Sequence, residues 1–317
     1  MPSVDFSPTA RTSSKSSSSL FGKYFLALIG ILLLCSATIP TASARIGADA
    51  LYKYDKGLLW KIEAPGVAPS YLFGTIHSDD PRVTLLPAPV AKAFDASKRY
   101  VMEALIDGDG LARMAQAMYF NDGRTLEQVV GKPLYEQTLK ALAARGAPTK
   151  GVEKEKPWAV MMVLSMPRPK TGQFLDFILE ERAVRQDKPV SGLETLDEQI
   201  AVFNDLPLPD QVALLEETVS AQADFDREFE GLLKAYLARD LATLAELSMK
   251  HKPGEEQMYR TVMDRLLTKR NARMAGRMRP YLDEGASFIA VGAAHLPGTA
   301  GLLNRIEKAG YRVTSVY

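Results

Sequence analysis

Between residues 58 and 106, short apolar runs alternate with clusters of Pro, Gly and Asp, the pattern of strands joined by tight turns. Positions 58–63 predict a strand, Pro65, Gly66 and Pro69 a turn, and Tyr71-Leu72-Phe73 a second strand, together an antiparallel hairpin. That second strand runs out through Gly74-Thr75-Ile76-His77 into a loop with Asp79, Asp80 and Pro81, followed by a short helix over 89–96 and a strand over 100–106. The C-terminus repeats the order. Ser287-Phe288-Ile289-Ala290-Val291 predicts a strand that ends in Gly292-Ala293-Ala294-His295, then come a helix over 299–309 and a closing strand over 311–317. Positions 111–283 read as a large helical insertion interrupted by one strand over 189–194, with three- and four-residue apolar spacing in the segments 210–237 and 255–282. The expected fold class is therefore α/β, a mixed, largely parallel sheet built from N- and C-terminal βαβ-like units.

The N-terminal segment carries a different pattern. A Ser-rich stretch with Arg11, Lys15 and Lys23 precedes an apolar run over 25–34, and Ala42-Ser43-Ala44 supplies small residues at a cleavage position. Residues 1–44 read as a signal peptide cut near Ala44, leaving 45–317 as one domain that is periplasmic or secreted. The alternative is an uncleaved anchor over about 24–39, the one route by which this sequence would touch a membrane.

Composition narrows the chemistry. With 46% hydrophobic and 24% charged residues in 317, the chain has ample material for a core. Of 39 basic and 38 acidic side chains, cleavage removes Arg11, Lys15, Lys23 and Asp5, which leaves 36 against 37 and no field that argues for nucleic acid. The single cysteine, Cys35, would leave with the signal peptide, which excludes disulfides, a thiolate nucleophile and cysteine-bound zinc in the mature chain.

Two of the three histidines share one context, Gly-x-x-His after an apolar strand: Gly74 with His77, and Gly292 with His295. In a largely parallel sheet both would face the crevice beyond the carboxyl ends of the strands. Glu103 and Glu194 also sit on or at the end of apolar strands, where a lone carboxylate would be costly without a cation, a metal or a shifted pKa. Two imidazoles and one or two carboxylates suit zinc, manganese, cobalt or iron with positions left for water. Each residue also has a plainer reading: a structural histidine, an edge-strand charge at Glu103, a helix-opening acid at Glu194. Asp79 and Asp80 read as turn formers, His251 as an exposed turn residue, Trp60 and Trp158 as core, and Arg270 as part of the solvated face of a basic helix.

The ordered blocks Leu59-Trp60-Lys61-Ile62, Tyr71 to His77, Gly192-Leu193-Glu194-Thr195, Arg270-Asn271 and Val291 to Gly298 resemble the TraB/GumN family over nearly the whole mature chain. That family is related to the Tiki metalloproteases and shares an α/β fold with erythromycin-esterase-like and haem-binding ChaN-like proteins. The resemblance implies a divalent-metal-dependent hydrolase, a peptidase acting on a peptide or protein, with zinc, manganese or cobalt as the ion. It implies His77 and His295 as metal ligands and Glu103 and Glu194 as the family's acidic positions, one a ligand and the other a general base. Arg270 and Asn271 match its Arg-Asn pair, with Arg270 as the expected oxyanion stabiliser or peptide-positioning group. The alternatives are a metal-independent esterase with His77 as base, and a binding protein for haem or a peptide signal.

Overall fold

The computed structural model describes residues 53–105, 108–248 and 256–317. The signal-peptide reading of 1–44, His251 and the end of the strand expected at Ile106 lie outside the described residues. Among the described residues six strands form one sheet: β1 Leu59–Glu63, β2 Ser70–Thr75, β3 Arg99–Ala104, β4 Val190–Glu194, β5 Ser287–Gly292 and β6 Arg312–Ser315. Their order across the sheet is β4-β3-β5-β2-β1-β6. The pairs β3–β4, β3–β5 and β2–β5 are parallel, whereas β1 runs antiparallel to both β2 and β6. The fold is thus the mixed, largely parallel α/β arrangement that the pattern predicts, with β4 in the same sheet.

The two chain ends are interleaved, not side by side. β5 inserts between β2 and β3, pairing Gly74 with Val291 and Thr75 with Gly292 on one side, and Met102 with Ala290 on the other. Chemistry explains the position: Phe288, Ile289, Ala290 and Val291 are all buried, so both faces of β5 need cover and only the sheet centre provides it. As a result the two Gly-x-x-His segments leave the sheet from adjacent strands, with β3 and its Glu103 one strand away.

Several helices differ from the periodic reading. Residues 210–237 hold two helices, Leu208–Ser220 and Phe225–Leu237, separated by a short 3-10 turn at Ala221–Ala223. The 255–282 segment is Glu256–Met263, then a π-helical stretch Asp264–Lys269, then Arg270–Glu284. The loop after His77 also contains a one-turn helix, Pro81–Thr84, capped by the Asp80 side chain. Asp79 and Asp80 are buried, so they do more than turn the chain: Asp79 Oδ2 accepts the backbone N–H groups of Lys170 (2.6 Å), Thr171 and Gly172 (2.9 Å).

Two apolar clusters pack the described residues. One covers the sheet and includes Phe73, Tyr100, Leu193, Met274 and Phe288; the other is helical and includes Trp158, Leu196, Phe203, Leu214 and Leu266. Trp60 and Trp158 are core residues, as expected. Leu193 and Leu196 flank Glu194, and Leu266 and Met274 flank Arg270 one turn to either side, so both charged groups fall where the two clusters meet. Among the described residues no helix is long and apolar enough to cross a membrane.

Candidate functional site

The charged centre is built around Arg270. It follows the π-helical stretch directly, and its side chain is almost wholly buried, at 2% exposure. π-helical turns recur at functional positions. The basic run 269–273 therefore does not form a uniformly solvated face: Arg270 turns inward because two carboxylates converge on it. Its Nε donates to Glu194 Oε2 at 2.8 Å, its terminal amino group donates to Glu103 Oε1, and another N–H reaches the Leu266 carbonyl at 3.3 Å. Glu194, with no side-chain exposure, receives Arg273 on its other oxygen. It is held between two guanidiniums, and the following helix is capped separately by Thr195 and Glu198.

Glu103 lies on β3 within the sheet, so it is no edge-strand charge. Its Oε2 accepts the Gly292 N–H at 2.8 Å, and Gln199 Nε2 lies 3.3 Å from Oε1. Burial alone would push this carboxyl up, but Arg270, His295 and the Gly292 N–H outweigh it and hold the pKa down at about 2. The group is ionised at any physiological pH and keeps some exposure, 15% of its side chain.

His295 occupies a 3-10 turn just past β5, and its Nδ1 lies 2.6 Å from Asn271 Oδ1. The amide orientation of Asn271 follows from its other contact, because Nδ2 donates to the Ala300 carbonyl at 3.0 Å. Oδ1 must therefore accept, Nδ1 of His295 must carry the proton, and Nε2 is left with a free lone pair. That Nε2 is 3.8 Å from Glu103 Oε1. Burial lowers the His295 pKa to about 4, with Glu103 opposing and Arg270 assisting, so the ring is neutral near pH 7.

His77 also turns Nδ1 toward an oxygen, here in an ion-pair contact instead of a hydrogen bond. Its Nδ1 lies 2.9 Å from Asp176 Oδ2, and Nε2 is buried without a hydrogen-bond partner. Burial pulls its pKa down, but Asp176 and the field of Glu103 reverse the sign and leave it above the ordinary value. Gly74 serves close packing: a Cβ there would meet Leu296 Cδ1 at 2.7 Å and Ala293 Cα at 3.1 Å, on the segment that carries His295. At Gly292 the nearest atoms, Glu103 Oε2 and His295 Cδ2, are both at 3.5 Å, so space alone does not demand glycine.

The structure thus brings Glu103, Glu194, Arg270, Asn271 and His295 into one contacting set, whereas His77, at the end of the neighbouring strand, makes its polar contact with Asp176. Sequence reasoning missed Asp176, Gln199 and Arg273. Arg273 was accessible in principle, since a residue three positions after Arg270 shares its helix face. Asp176 looks like any acid in a first helical turn, and nothing local separates it from the rest. A narrow apolar cavity of about 20 Å³, roughly one water in size, lies beside Gln199 and Arg270.

Residues 58–315 match the TraB/PrgY/gumN family model, most of the chain and every element of this site. The chain belongs to that family. Among curated proteins it is similar to metalloprotease TIKI2 of Xenopus tropicalis, 26% identical with 90% of this chain and 65% of the relative covered. Metalloprotease TIKI2 of Danio rerio is also 26% identical, at 89% and 67%, and metalloprotease TIKI1 of Homo sapiens is 24% identical, at 89% and 68%. The chain spans about two thirds of the length of these relatives. No solved structure matches it.

Do the residues suit a divalent ion? Among the described residues no three His, Cys, Asp or Glu side chains are grouped as a ready-made cage. The donor chemistry nevertheless fits. Both motif imidazoles have Nδ1 against an oxygen acceptor, as metal-ligating histidines do, and both have an uncommitted Nε2. An ionised carboxylate, Glu103, stands beside one of them.

Proposed function

We propose that this protein is a divalent-metal-dependent hydrolase that cleaves peptide bonds. The observation that carries this reading is the matched pair of imidazoles, each facing an oxygen through Nδ1 and each presenting Nε2, just past the ends of adjacent strands of the sheet. The relatives' names, metalloprotease TIKI1 and TIKI2, supply the reaction class and the peptide or protein substrate.

In this reading His77, His295 and Glu103 hold the ion. A divalent ion such as zinc, manganese or cobalt, when bound by these residues, would supply Lewis acidity for hydrolysis. Glu103 suits the role of ligand better than that of base, because a carboxyl held at about 2 gives up its proton readily and takes one back poorly. Glu194 has both oxygens engaged by Arg270 and Arg273, so its part is to fix Arg270. Arg270 in turn balances two buried carboxylates, and its N–H groups are committed to them and to Leu266. Asn271 sets the tautomer of His295. Export, with residues 1–44 removed, completes the proposal and places the substrate outside the cytoplasm; N-terminal sequencing of the protein recovered after cell fractionation tests it.

The test is metal content by elemental analysis, wild type against a His77→Ala, His295→Ala double variant of confirmed fold, followed by a peptide-cleavage screen before and after chelation. About one equivalent of metal that is lost in the double variant, with cleavage abolished by chelation, is the expected result. The His77–Asp176 contact favours one second reading, a metal-free hydrolase in which Asp176 orients His77 as general base. Hydrolysis that survives exhaustive chelation would establish that reading and remove the first.

A further inference from the structure

The two motif histidines have chemically different supports: Asn271, a neutral amide, for His295, and Asp176, a carboxylate, for His77. Asp176 stands in the first turn of the Leu175–Arg185 helix, about one hundred residues from His77 in sequence. Several contacts bring it there. Asp79, two residues past His77, gathers the backbone N–H groups of Lys170, Thr171 and Gly172, and Lys170 Nζ reaches Asp80 Oδ2 at 2.8 Å. The Leu175 N–H then donates to the Ser78 carbonyl at 3.2 Å. This zipper delivers the helix start to the end of β2. There Thr75 Oγ1 donates to Asp176 Oδ1 at 2.9 Å, and Oδ2, which has no hydrogen-bond partner, lies 2.9 Å from His77 Nδ1 as a charge contact.

We propose that Asp176, fixed by Thr75, is the positioning residue of His77: it holds the proton on Nδ1, aims Nε2 at the ion and makes this imidazole the stronger donor of the pair. The inference rests on the metal-dependent reading above and goes beyond it, because that reading gives no role to Asp176 or to Thr75, an unspecified position of the Gly74–His77 motif. An anionic acceptor raises imidazole basicity and narrows ring orientation, effects that are typically worth roughly 10- to 100-fold in metal affinity.

The experiment measures zinc affinity by competition with a chromophoric chelator, and the visible spectrum of the cobalt-loaded protein, for metal-free wild type, Asp176→Asn and Thr75→Val. Thermal midpoints of the metal-free forms monitor the fold. The expected result is weaker zinc binding in Asp176→Asn, by roughly 10- to 100-fold, with a changed cobalt spectrum, and a smaller loss in the isosteric Thr75→Val. Affinity within about twofold of wild type in a folded Asp176→Asn overturns the inference while leaving the metal site standing. If Asp176→Asn does not fold, unchanged zinc affinity and cobalt spectrum in Thr75→Val overturn it instead. Wild type that takes up no zinc or cobalt overturns the metal-dependent reading itself, so the two failures are distinguishable.

Discussion

Replacing Arg270 by Met removes a buried guanidinium and leaves its apolar length. Glu194 keeps Arg273, so the orphaned charge is chiefly that of Glu103, left with the Gly292 N–H and the Gln199 amide. In the wild type the carboxyl of Glu103 titrates at about 2 instead of 4.5, a difference that corresponds to about 3 kcal/mol. Breaking a buried ion pair from one side generally costs about 3–5 kcal/mol, in line with that figure. The variant should therefore lose about 3 kcal/mol of stability near neutral pH.

The pH dependence of that loss is the sharper test. In the wild type the folded pKa is depressed, so the stability from Glu103 is fully present above the unfolded value of 4.5 and disappears as pH falls toward about 2. In the variant, burial is no longer outweighed and the folded pKa rises above 4.5. The penalty is then present at neutral pH and is relieved as the carboxyl takes up a proton on acidification. Chemical denaturation of the metal-free proteins at about pH 7.5 and about pH 5 should show a deficit that shrinks at the lower pH. A loss under about 1 kcal/mol at neutral pH, or a deficit that does not shrink, refutes the claim that Arg270 compensates a buried carboxylate.

Other substitutions probe separate features. Gly74→Ala should cost about 1–3 kcal/mol, since its Cβ meets Leu296 and the Ala293 backbone, whereas Gly292→Ala, with nearest contacts at 3.5 Å, should leave the denaturation midpoint close to wild type. Asp79→Ala removes the acceptor of three backbone N–H groups and should lower stability by about 2–3 kcal/mol, with earlier cleavage of the 166–173 segment in limited proteolysis. Glu155 is buried, and burial, reinforced by Glu153, pushes its pKa from 4.5 up to about 7. Its neutral form contributes full stability below 4.5, and this is lost as pH rises through about 7; Glu155→Gln should thus be up to about 3 kcal/mol more stable than wild type near pH 8 and no more stable near pH 4.5.

The strands β1, β2 and β5 were legible because each is a largely apolar run bounded by Gly or Pro, and the paired Gly-x-x-His ends were legible because two of three histidines share them. Sheet order was not, because β5 could have joined the sheet edge or its centre with the same local pattern. Only the burial of both its faces fixes the centre. The helix break at Ala221–Ala223 has no Gly or Pro to announce it, and the π-helical stretch at Asp264–Lys269 has no local signature either. Arg270 was misread by pattern for a related reason: a basic run looks solvated until the carboxylates of β3 and β4, 167 and 76 residues away, are brought against it. Family resemblance recovered Arg270 but not Asp176, whose significance depends wholly on a long-range contact with His77.

The site also separates two kinds of residue that a loss-of-activity screen would merge. Glu103 on β3, Glu194 at the end of β4, the Gly292 N–H on β5 and Arg270 on its helix form one charged knot where the sheet cluster and the helical cluster meet. None of these groups can be buried cheaply alone, so the knot forms only when all four elements are in place, and removing Arg270 threatens the fold itself. The histidines lie beside this knot, His295 neutral near pH 7 and His77 with its pKa raised by Asp176, each with Nδ1 against an oxygen and Nε2 unspent. Each imidazole makes few contacts, His295 with Asn271 and Glu103 and His77 with Asp176 and Phe174, so His77→Ala and His295→Ala should leave a folded protein. An inactive Arg270 variant therefore says little about catalysis until its stability is known, whereas an inactive, folded histidine variant speaks directly to the chemistry.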